Sequence, residues 1–291
     1  FLINLAIKRP ILEVSGISID GTWYDMETPY GYGGLYTNSC DHDFLNQAQA
    51  AYISRCQKEN IIAEFIRFHP FNLFPLQYAN FLDFLVKDRT VVIVDLSVNQ
   101  AERWQQFSKT TRNILRKCKR LLTVEINNLD LISFQELYYN TMKKNNAENF
   151  YFFDVNYFKK LQRIAGVELV TVRLENQTIA ASFFMYSKII AYYHLSANAT
   201  QYLKYNANYL LLETAFKNAQ QQACKFMMLG GGRSNAANDS LFKFKSKFSP
   251  KSLPFYIAGK IYQPKIYEKL NQLWQQQNPN KRLNYFLKYR V

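Results

Sequence analysis

Residues 168–232 read ELVTVRLENQTIAASFFMYSKIIAYYHLSANATQYLKYNANYLLLETAFKNAQQQACKFMMLGGG, and this stretch decides the fold. Three runs rich in β-branched and aromatic residues, 168–174, 178–186 and 189–196, are separated only by Glu175-Asn176-Gln177 and Ser187-Lys188. Turns that short join antiparallel neighbours. A loop then leads into a helix over 208–223, and a short apolar strand over 225–229 stops at Gly230-Gly231-Gly232. A strand meander followed by a helix and a returning strand is an α/β (α+β) arrangement, a mixed and mostly antiparallel sheet flanked by helices.

The first half of the chain carries a weaker copy of this plan. Residues 30–38 precede a helix over 44–58 and a strand over 61–69, as 191–199 precede a helix and a strand. The spacing predicts tandem lobes, 1–124 and 125–291. Within the first lobe, 72–86 reads as a helix and 91–96 as a strand, and Ser97 as the N-cap of one long helix to Leu122. On that helix Trp104, Phe107, Thr111, Ile114, Leu115, Cys118 and Leu122 recur every three or four residues and form an inward face. Lys109, Arg112, Arg116, Lys119 and Arg120 form a basic stripe opposite, a solvated face or a ligand-facing one.

The chain has 291 residues, 48% hydrophobic and 16% aromatic, enough apolar side chain for a real core. Disordered, collagen-like and disulfide-scaffold classes are excluded by that content and by only 10 Gly, 8 Pro and 4 Cys. No run of 18 apolar residues exists, so no transmembrane segment is expected. Cys40, Cys56, Cys118 and Cys224 lie far apart with no CxxC pair, which reads as reduced thiols of a cytoplasmic protein without a zinc site. No signal peptide is visible, and the opening on Phe1 reads as a fragment. The net charge of +14 is unevenly placed. Residues 102–120 hold seven Lys and Arg against Glu102, and 243–291 hold eleven against Glu268 alone. Such polarity points to an anionic partner: nucleic acid, a phosphorylated substrate or an anionic lipid surface.

Five motifs occur in order: Pro29-Tyr30-Gly31-Tyr32-Gly33-Gly34, Arg67-Phe68-His69-Pro70, Thr111-Arg112-Asn113, Phe150-Tyr151-Phe152-Phe153 and the Leu241 to Phe248 run LFKFKSKF. Together they resemble the Fem-type (FemAB-like) aminoacyltransferases of the GNAT superfamily, from about residue 9 to 267. The resemblance implies two GNAT-like domains and transfer of an acyl group, with no metal and no tightly bound cofactor. The donor would be aminoacyl-tRNA or acyl-CoA, and the acceptor an amine or hydroxyl of a cell-envelope (peptidoglycan) precursor or amino sugar. Peripheral association with a membrane is compatible with this. In GNAT folds the third and fourth strands part and the acyl donor lies in the gap. By the same resemblance Lys245, between Phe244 and Phe248, lies in the transfer site and stabilises the oxyanion of the tetrahedral intermediate, a role that suits an ammonium between aromatic rings. On an extended chain Lys243, Lys245 and Lys247 would share one face, which also fits a basic edge strand. One position departs from the pattern: Tyr151-Phe152-Phe153 stand where the family carries a basic residue.

The residues themselves leave several roles open. The glycines of 29–34 let backbone approach a ligand or another strand closely, with Tyr30 and Tyr32 as a cleft wall or a packed corner. Arg67 and His69, two apart at a strand end, suit a phosphate or carboxylate, or an ion pair with Glu64 or Asp95. Arg112 and Arg116 are candidates for an anionic substrate. His194 and Ser196 share one strand face and Tyr193 and Leu195 the other. His194 is then a candidate general base, or a hydrogen-bonded core residue. No Ser/His/Asp order or metal-ligand spacing surrounds it, which speaks against a hydrolase or metalloenzyme. In the loop from Gln201 to Asn208, Lys204 and Asn206 fill the slots where CoA-dependent GNAT enzymes have glycine. Lys204, Asn206 and Asn208 are the candidates for holding a donor phosphate at the helix N-terminus, with Asn206 or Asn208 otherwise a plain cap. Gly230, Gly231 and Gly232 offer backbone amides to the same donor. This weak CoA loop and the basic balance favour tRNA. The rival reading is a non-catalytic nucleic-acid or anionic-surface binder on the same fold.

Overall fold

The computed structural model describes residues 1–236 and 238–291. The chain forms two compact units, Thr90–Leu253 and a second assembled from Phe1–Arg89 with Pro254–Val291. This division differs from the boundary expected near 124. Residues 90–124 pack into the core of the central unit through Val92, Phe107 and Leu115, and the last 38 residues return to the first segment.

In the split unit, β1 (Leu2–Leu5), β2 (Ile7–Val14), β3 (Ile17–Glu27), β4 (Gly34–Thr37), α1 (His42–Lys58), β5 (Ile61–Arg67) and a short α2 (Phe74–Gln77) lead into β6 (Phe84–Asp95). The segment 72–86, expected to be helical, holds only that single turn and a short 3-10 turn. Pro75 tolerates only the first helical turn, and β6 has begun by residue 84. The β2–β3 hairpin turns on Ser15 and Gly16, both with positive φ, as a two-residue type I′ turn requires. β3 pairs in parallel with β5, and β5 pairs antiparallel with β12 (Ser252–Ile261). The strand that precedes the helix in the repeat is therefore β3. Of residues 30–38, which precede the helix in the expected repeat, only β4 is a strand, and it pairs with β1. The closing helix α9 (Pro264–Gln277) covers β5 with Leu270 and Trp274.

The central unit follows β6 with α3 (Gln100–Gln106), α4 (Lys109–Leu121), β7 (Thr123–Ile126), α5 (Leu131–Lys144), α6 (Val155–Gln162), β8 (Val167–Leu174), β9 (Gln177–Tyr186), β10 (Ile190–Asn198), α7 (Ala207–Gln221), β11 (Phe226–Gly230) and α8 (Ser240–Lys245). Its strand order is β6-β11-β10-β9-β8-β7, with β10 and β11 parallel and the other pairs antiparallel. The meander, α7 and β11 stand where the sequence puts them. The single helix expected from Ser97 to Leu122 is two. Ser108 accepts from the Thr111 amide and caps α4, and Arg112 donates to the Gln105 and Phe107 carbonyls that end α3. One sheet face is covered by α4 and α7, around Leu115, Leu211 and Phe216. The other is covered by α5 and α6, around Phe134, Phe158 and Phe183. Among the described residues no helix is long and apolar enough to cross a membrane.

The split unit buries one carboxyl group among neutral donors. Glu64 on β5 accepts from Asn4 Nδ2, from Tyr52 Oη at 3.2 Å and from Tyr262 Oη at 2.7 Å. Burial raises its pKa, so the folded value exceeds the unfolded value of about 4.3. The contribution of the protonated group is fully present below that unfolded value and is lost as pH rises through the folded one. Glu64→Gln should therefore gain thermal stability over the native chain progressively as pH rises through that window. An offset in Tm that is the same at every pH would show that the carboxyl ionises without penalty.

Candidate active site

Because β10 and β11 run parallel around α7, their C-terminal ends lie at the same edge of the sheet. They pair only through Ile190, Ala191 and Tyr192 against Phe226, Met227 and Met228. Beyond Met228, β11 pairs with β6 alone, Gly230 lying opposite Val92, so β10 leaves its neighbour from Tyr193 onward. This is the parting of strands that the fold predicts.

β10 also carries a bulge at this level. Tyr193 lies opposite Phe184 and Ser196 opposite Ser182, three residues against two. The extra residue breaks the expected alternation. Tyr193 stacks on Phe184 in the α4/α7 face, with Ser196 on the same side. Leu195 turns into the α5/α6 face, where His194 Nε2 lies 3.4 Å from the Tyr157 hydroxyl. His194 therefore shares no face with Ser196, nor Tyr193 with Leu195. Ser182 holds the bulge by donating from Oγ to the Leu195 carbonyl at 2.9 Å. Ser182→Ala leaves that buried carbonyl short of a donor, and should destabilise the chain by about 1–3 kcal/mol. A urea midpoint equal to that of the native chain would remove Ser182 from this role.

Lys245 closes the parted end. It is 7% exposed, donates from Nζ to the Gly231 carbonyl at 2.7 Å, and stands 5.8 Å from the centre of the Tyr193 ring. It is the last residue of a helix, where an extended basic segment was one expectation. Asp239 caps α8 by accepting from the Phe242 amide, and also accepts from the Arg233 and Ser234 amides, tying the glycine turn to the helix start. The three lysines diverge: Lys245 is buried, Lys243 is exposed, and Lys247, just past the helix, donates to the Tyr209 hydroxyl at 3.1 Å. Phe244 and Phe248 pack against Tyr209, with Phe248 in the core. The ring that faces the ammonium is Tyr193.

The glycine triplet serves this lysine. A Cβ on Gly230, whose φ is +75°, would lie 3.4 Å from Lys245 Nζ, and one on Gly232 would lie 2.4 Å from Asp239 Oδ1. Gly230, Gly231 and Gly232 thus seat Lys245 and the α8 cap.

Beside this seat lies a cleft of about 230 Å³ lined by Asn206, Asn208, Tyr202, Tyr209, Phe244 and Lys247 among others. Asn206 occupies the cap position of α7 with φ +56°, and its side chain turns back to the Lys204 carbonyl, so no side chain caps the helix. Asn208 Oδ1 is buried without a partner. Lys204 is exposed, with Nζ over the Tyr205 ring and outside the lining. Lys247 stands in the cleft in its place. Tyr202 and Tyr209 carry no motif that marks them in the sequence, and Lys247 is marked there only as one of three alternating lysines; the helical start after Asp239 is the signal that turns it toward α7.

The remaining candidates have local partners of their own. In the split unit, Arg67 pairs with Glu27, not with Glu64 or Asp95, and its guanidinium lies over Phe65. Asp95 pairs with Lys251. His69 Nδ1 accepts from the Phe71 amide, and its ring meets Tyr32 edge to face, as Phe255 does. Burial lowers the pKa of both His69 and His194 to about 4, so both are neutral at pH 7. Gly33 exchanges hydrogen bonds with Arg67 and His69, and a Cβ on Gly34 would lie 2.6 Å from Phe68. The close approach in 29–34 is thus to a strand, and Tyr30 is exposed. In the central unit Arg112 is engaged in ending α3, while Arg116 bonds Asn113 at 2.9 Å on the outside of α4. Among the described residues no group of three His, Cys, Asp or Glu is placed to hold a metal ion.

Residues 165–255, which hold the strand meander, the glycine turn and Lys245, match the FemAB family. No curated protein matches the chain in sequence. Among solved structures, FemX shares 15% identity with a TM-score of 0.66, over 91% of this chain and 90% of that one. L-PGS from Bacillus licheniformis shares 14% with a TM-score of 0.57, over 94% and 90%. The C-terminal domain of a putative lysylphosphatidylglycerol synthetase from Agrobacterium fabrum shares 16% with a TM-score of 0.56, over 87% and 84%. The chain is FemAB-like in the region that builds the site, and its fold is that of FemX.

Proposed function

We propose that the chain is a FemAB-like acyltransferase that moves an aminoacyl group from aminoacyl-tRNA to an amine or hydroxyl of a cell-envelope precursor. One observation carries this reading: a buried ammonium, Lys245, fixed by Gly231 where β10 and β11 part. Attack on an ester carbonyl places negative charge on its oxygen, and a pre-set cation in a dry site stabilises that charge without reorganising. The C–O bond to the ribose then breaks, the new bond to the acceptor remains, and the proton of the attacking group ends on the leaving hydroxyl. The cleft at the uncapped start of α7 suits the donor's terminal phosphodiester, with Lys247 supplying charge and the backbone amides supplying donors. His194 has no part in this scheme, since it lies on the other sheet face beside Tyr157 and is neutral.

The charge fits a polyanionic donor. The central unit holds twenty-two Lys and Arg against eleven Asp and Glu, while the split unit holds fourteen against eleven.

Lys245→Ala should lower turnover by roughly 10²–10³ and leave donor binding nearly unchanged. Lys247→Ala should raise the donor KM with a smaller effect on kcat, and His194→Ala should keep kcat within a few-fold. Steady-state kinetics with charged tRNA, and with acetyl-CoA in parallel, test this. Native turnover by Lys245→Ala at saturating donor would overturn the assignment, and turnover with acetyl-CoA alone would replace the donor.

A further inference from the structure

The outer face of α4 has no task in the fold or in the transfer site. Lys109, Asn113, Arg116, Lys117 and Arg120 fall within about 100° of the helix circumference at 100° per residue, and all five are exposed. Thr111, Leu115 and Cys118, on the opposite side, are buried. The one ion pair α4 makes among the described residues is Lys119 with Glu213 at 3.7 Å, off the stripe. Arg116 bonds only the neutral Asn113 and lies 6.0 Å over Trp104. Like charges three and four apart on a helix repel. The helix dipole offsets this for Arg120 in the last turn, but not for Lys109 in the first, where a cation is unfavourable. The stripe therefore works against the helix that carries it unless an external polyanion neutralises it.

The other side of the same helix leads to the cleft. Cys118 Sγ lies 3.3 Å from the Tyr205 carbonyl and 3.6 Å from the Asn206 carbonyl. α4 therefore backs the turn that lines the cleft at the start of α7. From Lys109 to Arg120 the stripe runs about 16 Å at 1.5 Å per residue, long enough to follow several phosphates at about 3 Å of duplex axis each. A coenzyme seated in the cleft would not extend along such a stripe, whereas an RNA would. The stripe also lacks the apolar side chains that a membrane-surface helix inserts, since the apolar side of α4 is in the core.

We propose that Lys109, Asn113, Arg116, Lys117 and Arg120 form a docking surface for the phosphate backbone of the RNA whose acylated end enters the cleft. This rests on the reading of the donor as aminoacyl-tRNA. The test compares the full chain with Lys109→Gln/Arg116→Gln/Lys117→Gln/Arg120→Gln, titrating deacylated tRNA between 50 and 200 mM salt. Phosphatidylglycerol vesicles and coenzyme A are titrated in parallel. Loss of four phosphate contacts should weaken tRNA binding at least tenfold at the lower salt and flatten the plot of log affinity against log salt by about 3. Binding of coenzyme A should not change. Unchanged tRNA affinity and slope would overturn the proposal, as would loss of vesicle binding with tRNA binding intact, or native protein that binds no tRNA at low salt. If the quadruple variant does not melt as the native chain does, Lys109→Gln/Lys117→Gln carries the same comparison with half the change in slope. The two readings fail separately. Stripe-dependent tRNA binding without acyl transfer sinks the reaction and keeps the surface. Transfer from charged tRNA with an unchanged KM in the quadruple variant sinks the surface and keeps the reaction.

Discussion

Three residue pairs between β10 and β11 set the terms for everything around them. Had the pairing run on past Tyr192 and Met228, backbone hydrogen bonds would fill the space where Lys245 now meets the Gly231 carbonyl. The interruption leaves backbone groups without a ladder partner, and such groups need other company. The structure supplies it locally: a lysine on the Gly231 carbonyl, a serine on the bulged Leu195 carbonyl, and Asp239 on the amides of Arg233 and Ser234. The features that prevent the sheet from closing are thus the ones that furnish it with a fixed cation.

Two sheet faces with different occupants follow from the bulge. The face toward α4 and α7 holds Tyr193, Ser196 and Phe248, and is the one Lys245 addresses. The face toward α5 and α6 is a dense aromatic layer in which Phe134, Tyr138, Phe158 and Phe183 meet edge to face or stacked. His194 joins that layer, and its lowered pKa follows from burial there. A histidine beside a candidate site in sequence thus lies, in space, half-buried and neutral on the other sheet face.

The sequence carried the meander, α7 and β11, because alternating apolar runs and short turns are local signals. Departures arose where a single residue overrides a pattern. Ser108 caps α4 and divides a continuous amphipathic stretch, and Asp239 starts a helix where alternating lysines suggested an extended segment. Both are cap residues three positions ahead of the amide they satisfy, a signal present in the sequence but outweighed by periodicity. The bulge left no such mark, since it depends on Ser182 of a neighbouring strand. The division into units was not legible either, because it depends on which distant segments return, as Arg290 does to the buried Asp25.

That return has a consequence for synthesis. The central unit is one continuous segment and has all its strands once Leu253 has been made. The split unit cannot close β5 until β12 exists, nor neutralise Asp25 fully until Arg290 emerges. At about 5–20 residues per second, the first 89 residues wait on the order of ten seconds or more for their partners. During that interval β5, with six of its seven residues destined for burial, is an open edge. On the ribosome the order of completion is therefore inside first and ends last, which makes the N-terminal segment the client for any chaperone that meets this chain.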